Sequence, residues 1–189
     1  MADSIILFPS KSHIANKLGT IVTFNATNKT LVSSNTGIIA FTDFADGDII
    51  VVTGSASNNA TFTVNGSPTA TTLTVLETIA TEAEGASIII DHQGAYSEKQ
   101  KADGYHGYTD GLHTSAFHLN GYIGSIKMQA SLASIPTKDD WFNVDATSVT
   151  YASAETSNKG YNYTGNFVWV RAALTGMTAG SVTKVLYNY

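Results

Sequence analysis

The stretch Ile126-Lys127-Met128-Gln129-Ala130-Ser131-Leu132 decides the fold class, because apolar and polar side chains trade places at every residue. A period of two sends alternate side chains to opposite faces of an extended chain, so this is a half-buried strand. Moving toward the C-terminus, Trp141–Asp145, Ser148–Ala152 and Gly160–Tyr163 read as further strands. Phe167–Leu174 is apolar on both sides, with Phe167 and Trp169 on one and Val168 and Val170 on the other. Ser181–Tyr189 closes the chain with Val185, Tyr187 and Tyr189 on one face, a terminal strand expected to be tied into a sheet.

Toward the N-terminus the same grammar continues in shorter words. Thr20–Phe24, Lys29–Ser33, Gly37–Phe41, Asp48–Thr53, Ala60–Val64, Thr71–Leu76 and Ser87–Asp91 read as strands, separated by Asn, Asp and Gly turns. Asp48–Thr53 carries Ile49, Ile50, Val51 and Val52, apolar on both faces, and is expected at the centre of a sheet. Glu77–Glu84 is expected to form a turn of helix. From His92 to His118 the alternation stops, and Gly, Tyr, His and Asp dominate.

The predicted fold is all-β. A small N-terminal β-barrel or sandwich module (20–92) follows an N-terminal arm (1–19), and a Gly/Tyr/His-rich connector (93–118) leads to a C-terminal jelly-roll-like β-sandwich (119–189).

Composition narrows the function classes. The chain has 189 residues, 43% hydrophobic and only 13% charged, about half the roughly 25% charge of an average soluble domain. A net charge of −5 and a single arginine, Arg171, offer no phosphate-tracking surface, so no nucleic-acid partner is expected. An anionic membrane would repel such a chain, and no apolar run approaches the roughly 20 residues of a membrane span. The opening residues Met1-Ala2-Asp3-Ser4-Ile5-Ile6 carry no basic region ahead of an apolar stretch, so no signal peptide is expected. The absence of cysteine excludes disulfides and thiolate metal sites. Sequons such as Asn25-Ala26-Thr27 and Asn162-Tyr163-Thr164 read as turn and strand composition.

No standard catalytic constellation occurs: no Gly-x-Ser-x-Gly elbow, no phosphate loop with its lysine, no His-Glu-x-x-His helix. The expectation is a protein without catalytic residues or cofactor. His92, His106, His113 and His118 crowd into the connector, but their spacings match no standard metal site. Asp43-Phe44-Ala45-Asp46-Gly47-Asp48 is rich in oxygen ligands yet lacks the calcium-loop spacing, and reads as the turn into the strand at Asp48. Asp139-Asp140 reads as a polar turn before a core strand anchored by Trp141 or Phe142. Adjacent carboxylates on a strand point to opposite sides and cannot face one another across a sugar.

Two segments carry a resemblance. Asp46-Gly47-Asp48-Ile49-Ile50-Val51-Val52-Thr53-Gly54-Ser55, Asn58–Val64, Ala70–Val75 and Glu84–Ile88 together resemble a small β module of tailed-phage structural proteins. Gly124–Leu132, Asp140-Trp141-Phe142, Thr164–Ala172 and Ala179–Val185 resemble a β-sandwich of virion proteins from marine and cyanobacterial phages. The resemblance implies a virion location and function by assembly, with copies of the chain and other virion proteins as partners. It fits a tail fibre, baseplate, neck or collar, or capsid decoration. The two-faced strand then suggests an assembly face of Phe167, Trp169, Arg171, Tyr187 and Tyr189, covered by the connector or by another subunit. A second expectation is a carbohydrate-binding module that contacts a host surface glycan through Tyr96, Tyr105, His106 and Tyr108, with Asp110 beside them.

Overall fold

The structure is a computed structural model that describes residues 4–108 and 111–189. Asp110 and the opening Met1-Ala2-Asp3 lie outside the described residues. Fifteen strands are present among the described residues. They are β1 (Ile5–Phe8), β2 (Lys11–Ser12), β3 (Lys17–Gly19), β4 (Val22–Asn25), β5 (Thr30–Ser33), β6 (Asp48–Thr53), β7 (Thr61–Thr63) and β8 (Thr72–Thr74). Then come β9 (Ile88–Tyr96), β10 (Gln100–Lys101), β11 (Leu112–Ser131), β12 (Phe142–Asn143), β13 (Val149–Glu155), β14 (Asn158–Thr164) and β15 (Trp169–Asn188). One short helix, α1 (Asp103–His106), interrupts them. The protein is thus an all-β sandwich built from antiparallel sheets, with no closed barrel.

The chain divides into two compact units, one of residues 14–94 and one that joins 1–13 to 95–189. The N-terminal segment is therefore not a free arm: β1 and β2 pair with β15.

In the unit of residues 14–94, β4, β5 and β8 form one sheet, while β3 pairs β9 and β6 pairs β7. Phe24, Leu31 and Leu73 of the first sheet meet Ile50, Val52, Phe62, Ile88 and Ile90 of the second in one apolar core. β6 has neighbours on both sides, β9 and β7, the central place expected from its two apolar faces. Two expectations fail here. Gly37–Phe41 is a turn, not a strand, because the Asn35 side chain accepts from Gly37 N and the Asn35 carbonyl accepts from Ile38 N and Ile39 N. Ile39 and Phe41 are nonetheless buried, so their apolar character served the core and not a ladder. Glu77–Glu84 is extended, not helical. The Glu82 carboxylate accepts from Ser55 Oγ at 2.5 Å, Ala56 N at 2.9 Å and Asn58 Nδ2 at 3.0 Å. These bonds hold the segment against the 55–58 turn, and they lower the Glu82 pKa, Ser55 contributing most.

The other unit is organised by two 20-residue strands, β11 and β15, paired antiparallel along most of their length. β14, β13 and β12 line the far edge of β11, and β1, β2 and β10 line the far edge of β15. The ribbon does not run straight. A straight strand from His113 to Ser131 would span about 60 Å. Yet His113 bonds the Gly165 carbonyl while Val168 N bonds the Ser131 carbonyl, and Val168 is only three steps along the chain from Gly165, at most about 11 Å. The ribbon folds back on itself, and its two halves become the two layers of a sandwich.

Glycines and bulges make the bend. The register shifts at His118/Leu119, Asn120/Ile123 and Ile123/Ser125. Across the irregular stretch between Leu119 and Tyr122 the inward parity of β11 changes, so burial passes from 113, 115, 117 and 119 to 122, 126, 128 and 130 without a break in the core. Gly121 and Gly180 hold positive φ of 60° and 72° at the crossing, where their backbones touch. The predicted connector is only partly a connector: Leu112–His118 is the first third of β11, paired on both sides by β14 and β15.

Candidate functional site

The surface that gathers the most chemistry lies on the unit of residues 1–13 and 95–189, on the outward face of β15. Strand register builds it. Gln100 and Lys101 pair with Val170 and Trp169, while Gln129 and Ser131 pair with Arg171 and Trp169 from the other side. α1 is pressed against the backbone just before β15: Gly104 N donates to Phe167 O at 2.8 Å, and a Cβ on Gly104 would sit 2.9 Å from that same oxygen. Gly107 then turns the chain in the left-handed conformation, at φ 75°. The outcome is that Tyr105, His106 and Tyr108 stand beside Trp169 and Tyr189.

The rings touch in sequence. Tyr105 meets Trp169 edge-on at 5.0 Å between centroids and His106 at 5.4 Å; His106 lies near-parallel to Tyr108 at 5.8 Å and to Tyr189 at 5.6 Å. The Tyr189 hydroxyl is 3.0 Å from His106 Nε2. Three cations lie on these rings: Lys99 Nζ 4.6 Å from Trp169, Lys101 Nζ 4.2 Å from Tyr105, and Arg171 between Tyr96 at 4.0 Å and Trp141 at 4.2 Å. Cation and ring attract through the ring quadrupole, more strongly as water is excluded. Arg171 Nε donates to Gln129 Oε1 at 2.9 Å. Burial lowers the Arg171 pKa to about 10, which leaves it charged at neutral pH.

Two sets of residues that the sequence suggested separately therefore form one surface. Tyr96, Tyr105, His106 and Tyr108 are all in it, with Trp169, Arg171 and Tyr189. Phe167 and Tyr187 are not. Phe167 is 9% exposed and Tyr187 is fully buried, both within the core of their own unit. The cause is local geometry: the 165–167 turn reverses Phe167 ahead of β15, and the bulges of the ribbon place odd-numbered Tyr187 inward although odd-numbered Trp169 and Arg171 face outward. Of the two covers expected for the two-faced strand, the chain's own Tyr96, Lys99 and Tyr105 occupy Trp169 and Arg171. Trp141 and Phe142 do not anchor a core: Trp141 caps Arg171, and Phe142 is 43% exposed. Asp139-Asp140 is a turn as expected, a 3-10 helix in which the Asp140 carboxylate accepts from Thr137 N and Thr137 Oγ1.

The histidines do not converge. Among the described residues no group of three His, Asp or Glu side chains is placed to hold a metal ion. His92 is buried in the unit of residues 14–94, where Ile14 N donates to its Nδ1. His113 is buried among Tyr163, Phe167 and Tyr187, its ring near-parallel to all three. His113 Nε2 donates to the Gly165 carbonyl at 2.7 Å, so in the neutral ring Nδ1 accepts from the Tyr187 hydroxyl at 2.9 Å. Ser115 and Asp103 lie nearby, but His113 is not placed as a base on the Ser115 hydroxyl. Both ring nitrogens are engaged, and the Ser115 hydroxyl bonds Tyr163 instead, at 2.9 Å. Ser115, His113 and Asp103 are also sealed from solvent. Burial raises the pKa of the Tyr163 and Tyr187 hydroxyls, which keeps both protonated.

A shallow cleft of about 500 Å³, missed from sequence, opens beside this core between Leu112, Val144, Asp145, Asn162 and Tyr163. Its lining comes from β11, β14 and the turn after β12, segments that no sequence motif links. No protein-family model matches the chain, and no curated protein is similar to it.

Proposed function

We propose that this chain is a non-enzymatic structural or appendage protein of a phage-type virion, working by assembly with copies of itself and with other virion proteins. The observation that supports this reading is an apolar end on the unit of residues 1–13 and 95–189, where β11 finishes. Leu132, Ile135 and Phe142 are 63%, 80% and 43% exposed there. The same loop bonds Trp169, whose Nε1 donates to Ser134 O at 3.2 Å. Covering such side chains with a partner stabilises the contact by about 1.5–3 kcal/mol each when burial is complete. The test is light scattering at micromolar concentration. A discrete oligomer is expected, dissociated by Leu132→Asp combined with Ile135→Asp. A monomer at every concentration that also binds no virion component overturns the proposal.

A second reading, carbohydrate recognition, is supported by a different observation: Tyr105 and Tyr108 are 44% and 58% exposed and flank His106, a polar-tipped aromatic row open to solvent. Such rings stack on sugar faces while their hydroxyls and nitrogens reach the sugar hydroxyls. A glycan-array screen tests it, and uniform absence of signal removes it.

A further inference from the structure

We propose that Tyr105, Trp169 and Arg171, with Lys99 and Lys101, form a binding site for a carboxylate-bearing polysaccharide, a polyuronate. This rests on the carbohydrate reading of the surface and names its ligand class.

The first support is charge placement. The chain has ten basic residues against fifteen acidic ones. Three of the ten sit on this one ring-lined surface, and β-register puts a fourth, Lys127, opposite Ala173 on the same strand pair. None of the four makes a salt bridge among the described residues, although Glu98 adjoins Lys99 in sequence.

The second is the state of Arg171. Its guanidinium carbon lies 4.0 Å and 4.2 Å from the centroids of two rings and its Nε is bonded to Gln129, so the group is held in place before any ligand arrives. Its two terminal amino groups donate to no described residue. A planar, pre-oriented guanidinium edge matches the two oxygens of a carboxylate in a bidentate pair. Orientation achieved in advance lowers the entropy that binding must offset.

The third separates a saccharide from a protein partner. Lysine is depleted from protein–protein interfaces, whose centres are dry. Here Lys99 and Lys101 lie directly on the rings, which suits a hydrated ligand that brings anions and stacking faces together. The apolar end at Leu132 and Ile135 has the opposite character and is the better protein contact.

The experiment measures binding of the whole chain to polygalacturonate, dextran sulfate, neutral dextran and poly-glutamate, with near-UV circular dichroism to verify each variant's fold. Expected are binding to polygalacturonate but not dextran, and at least a tenfold loss in both Arg171→Gln and Tyr105→Ala, with Arg171→Lys only partly restoring affinity. Equal binding of dextran leaves the carbohydrate reading standing and overturns the assignment of a charged ligand. Dextran sulfate bound as well as polygalacturonate and unaffected by Tyr105→Ala means ion exchange alone, and overturns it too. Poly-glutamate bound as tightly as polygalacturonate overturns it in favour of an acidic protein partner. No binding to any saccharide by the folded chain removes this inference and the carbohydrate reading together.

Discussion

Replacing Gly180 with alanine tests whether the folded ribbon depends on backbone contact at its bend. Gly180 has φ of 72°, and a Cβ there would lie 2.1 Å from Gly121 O, 2.2 Å from Gly121 C and 2.6 Å from Tyr122 N. Those are backbone atoms of the neighbouring strand, so relief requires β11 and β15 to separate where they cross. The left-handed conformation alone costs a non-glycine residue about 1–2 kcal/mol. Forced overpacking adds about 1–3 kcal/mol, for a total of about 2–5 kcal/mol. Gly176 supplies the control on the same strand: its φ is 59°, but nothing lies within 4 Å of the Cβ position. Gly176→Ala should therefore lose only the conformational part, about 1–2 kcal/mol. Urea denaturation followed by tryptophan fluorescence measures both, because Trp141 and Trp169, the chain's two tryptophans, belong to this unit. Midpoints are compared at constant m. If the two variants fall within about 0.5 kcal/mol of each other, or Gly176→Ala is the worse, the crossing does not hold the bend.

Three further perturbations probe other parts of the molecule. Tyr187→Phe removes the hydroxyl that donates to His113 Nδ1 and leaves a buried acceptor unsatisfied, which should cost about 1–3 kcal/mol in the same fluorescence assay. Arg171→Met keeps the length of the side chain but loses the attraction of both rings, and should cost about 1–2 kcal/mol, unlike Lys159→Met at the exposed pair with Glu155. Glu82 has a folded-state pKa below its usual 4.5, so its contribution is present above that value and is lost as pH falls through the depressed one. Amide exchange of the 55–58 turn should accelerate as pH drops from about 6 to about 3 beyond the intrinsic trend, and Glu82→Gln should flatten that excess.

Much of the fold was legible because alternation is a local signal. Ile126–Ser131 and Asp48–Thr53 carry their burial pattern in their own residues, and the structure places both as strands with those faces inward. Leu132, expected to continue the buried face, instead lies past the end of β11 and is 63% exposed. What failed was local sequence overridden by side-chain capture of the backbone. Gly37–Phe41 has a strand's composition, but Asn35 bends it. Glu77–Glu84 contains helix-favouring residues, but four groups of the 55–58 turn draw Glu82 into an extended path. The length of β11 was missed for another reason. A bulge resets parity, so a strand that continues through Gly121 and Gly124 looks in sequence like the end of one element and the start of another.

The candidate surface was legible as residues but not as a unit, and the reason is register. Tyr105 and Trp169 are 64 positions apart, and they meet because β10 pairs with β15 and the backbone of Ala102 and Gly104 bonds Val168 and Phe167. Nothing local to either segment specifies that pairing, so the sequence could suggest a ring cluster and an assembly strand without joining them. If they are one surface, a change in the former must be felt in the latter. Tyr105→Ala removes the edge contact at 5.0 Å and opens that side of the Trp169 indole to water, so Trp169 emission should shift to the red. Tyr108→Ala should leave the emission in place, because the Tyr108 ring meets His106 and not Trp169. A Trp141→Phe background isolates Trp169 for this measurement. Equal spectra for Tyr105→Ala and the parent would mean that α1 and β10 do not hold Tyr105 against β15 in solution, and the ring row would then fall back into two unrelated parts.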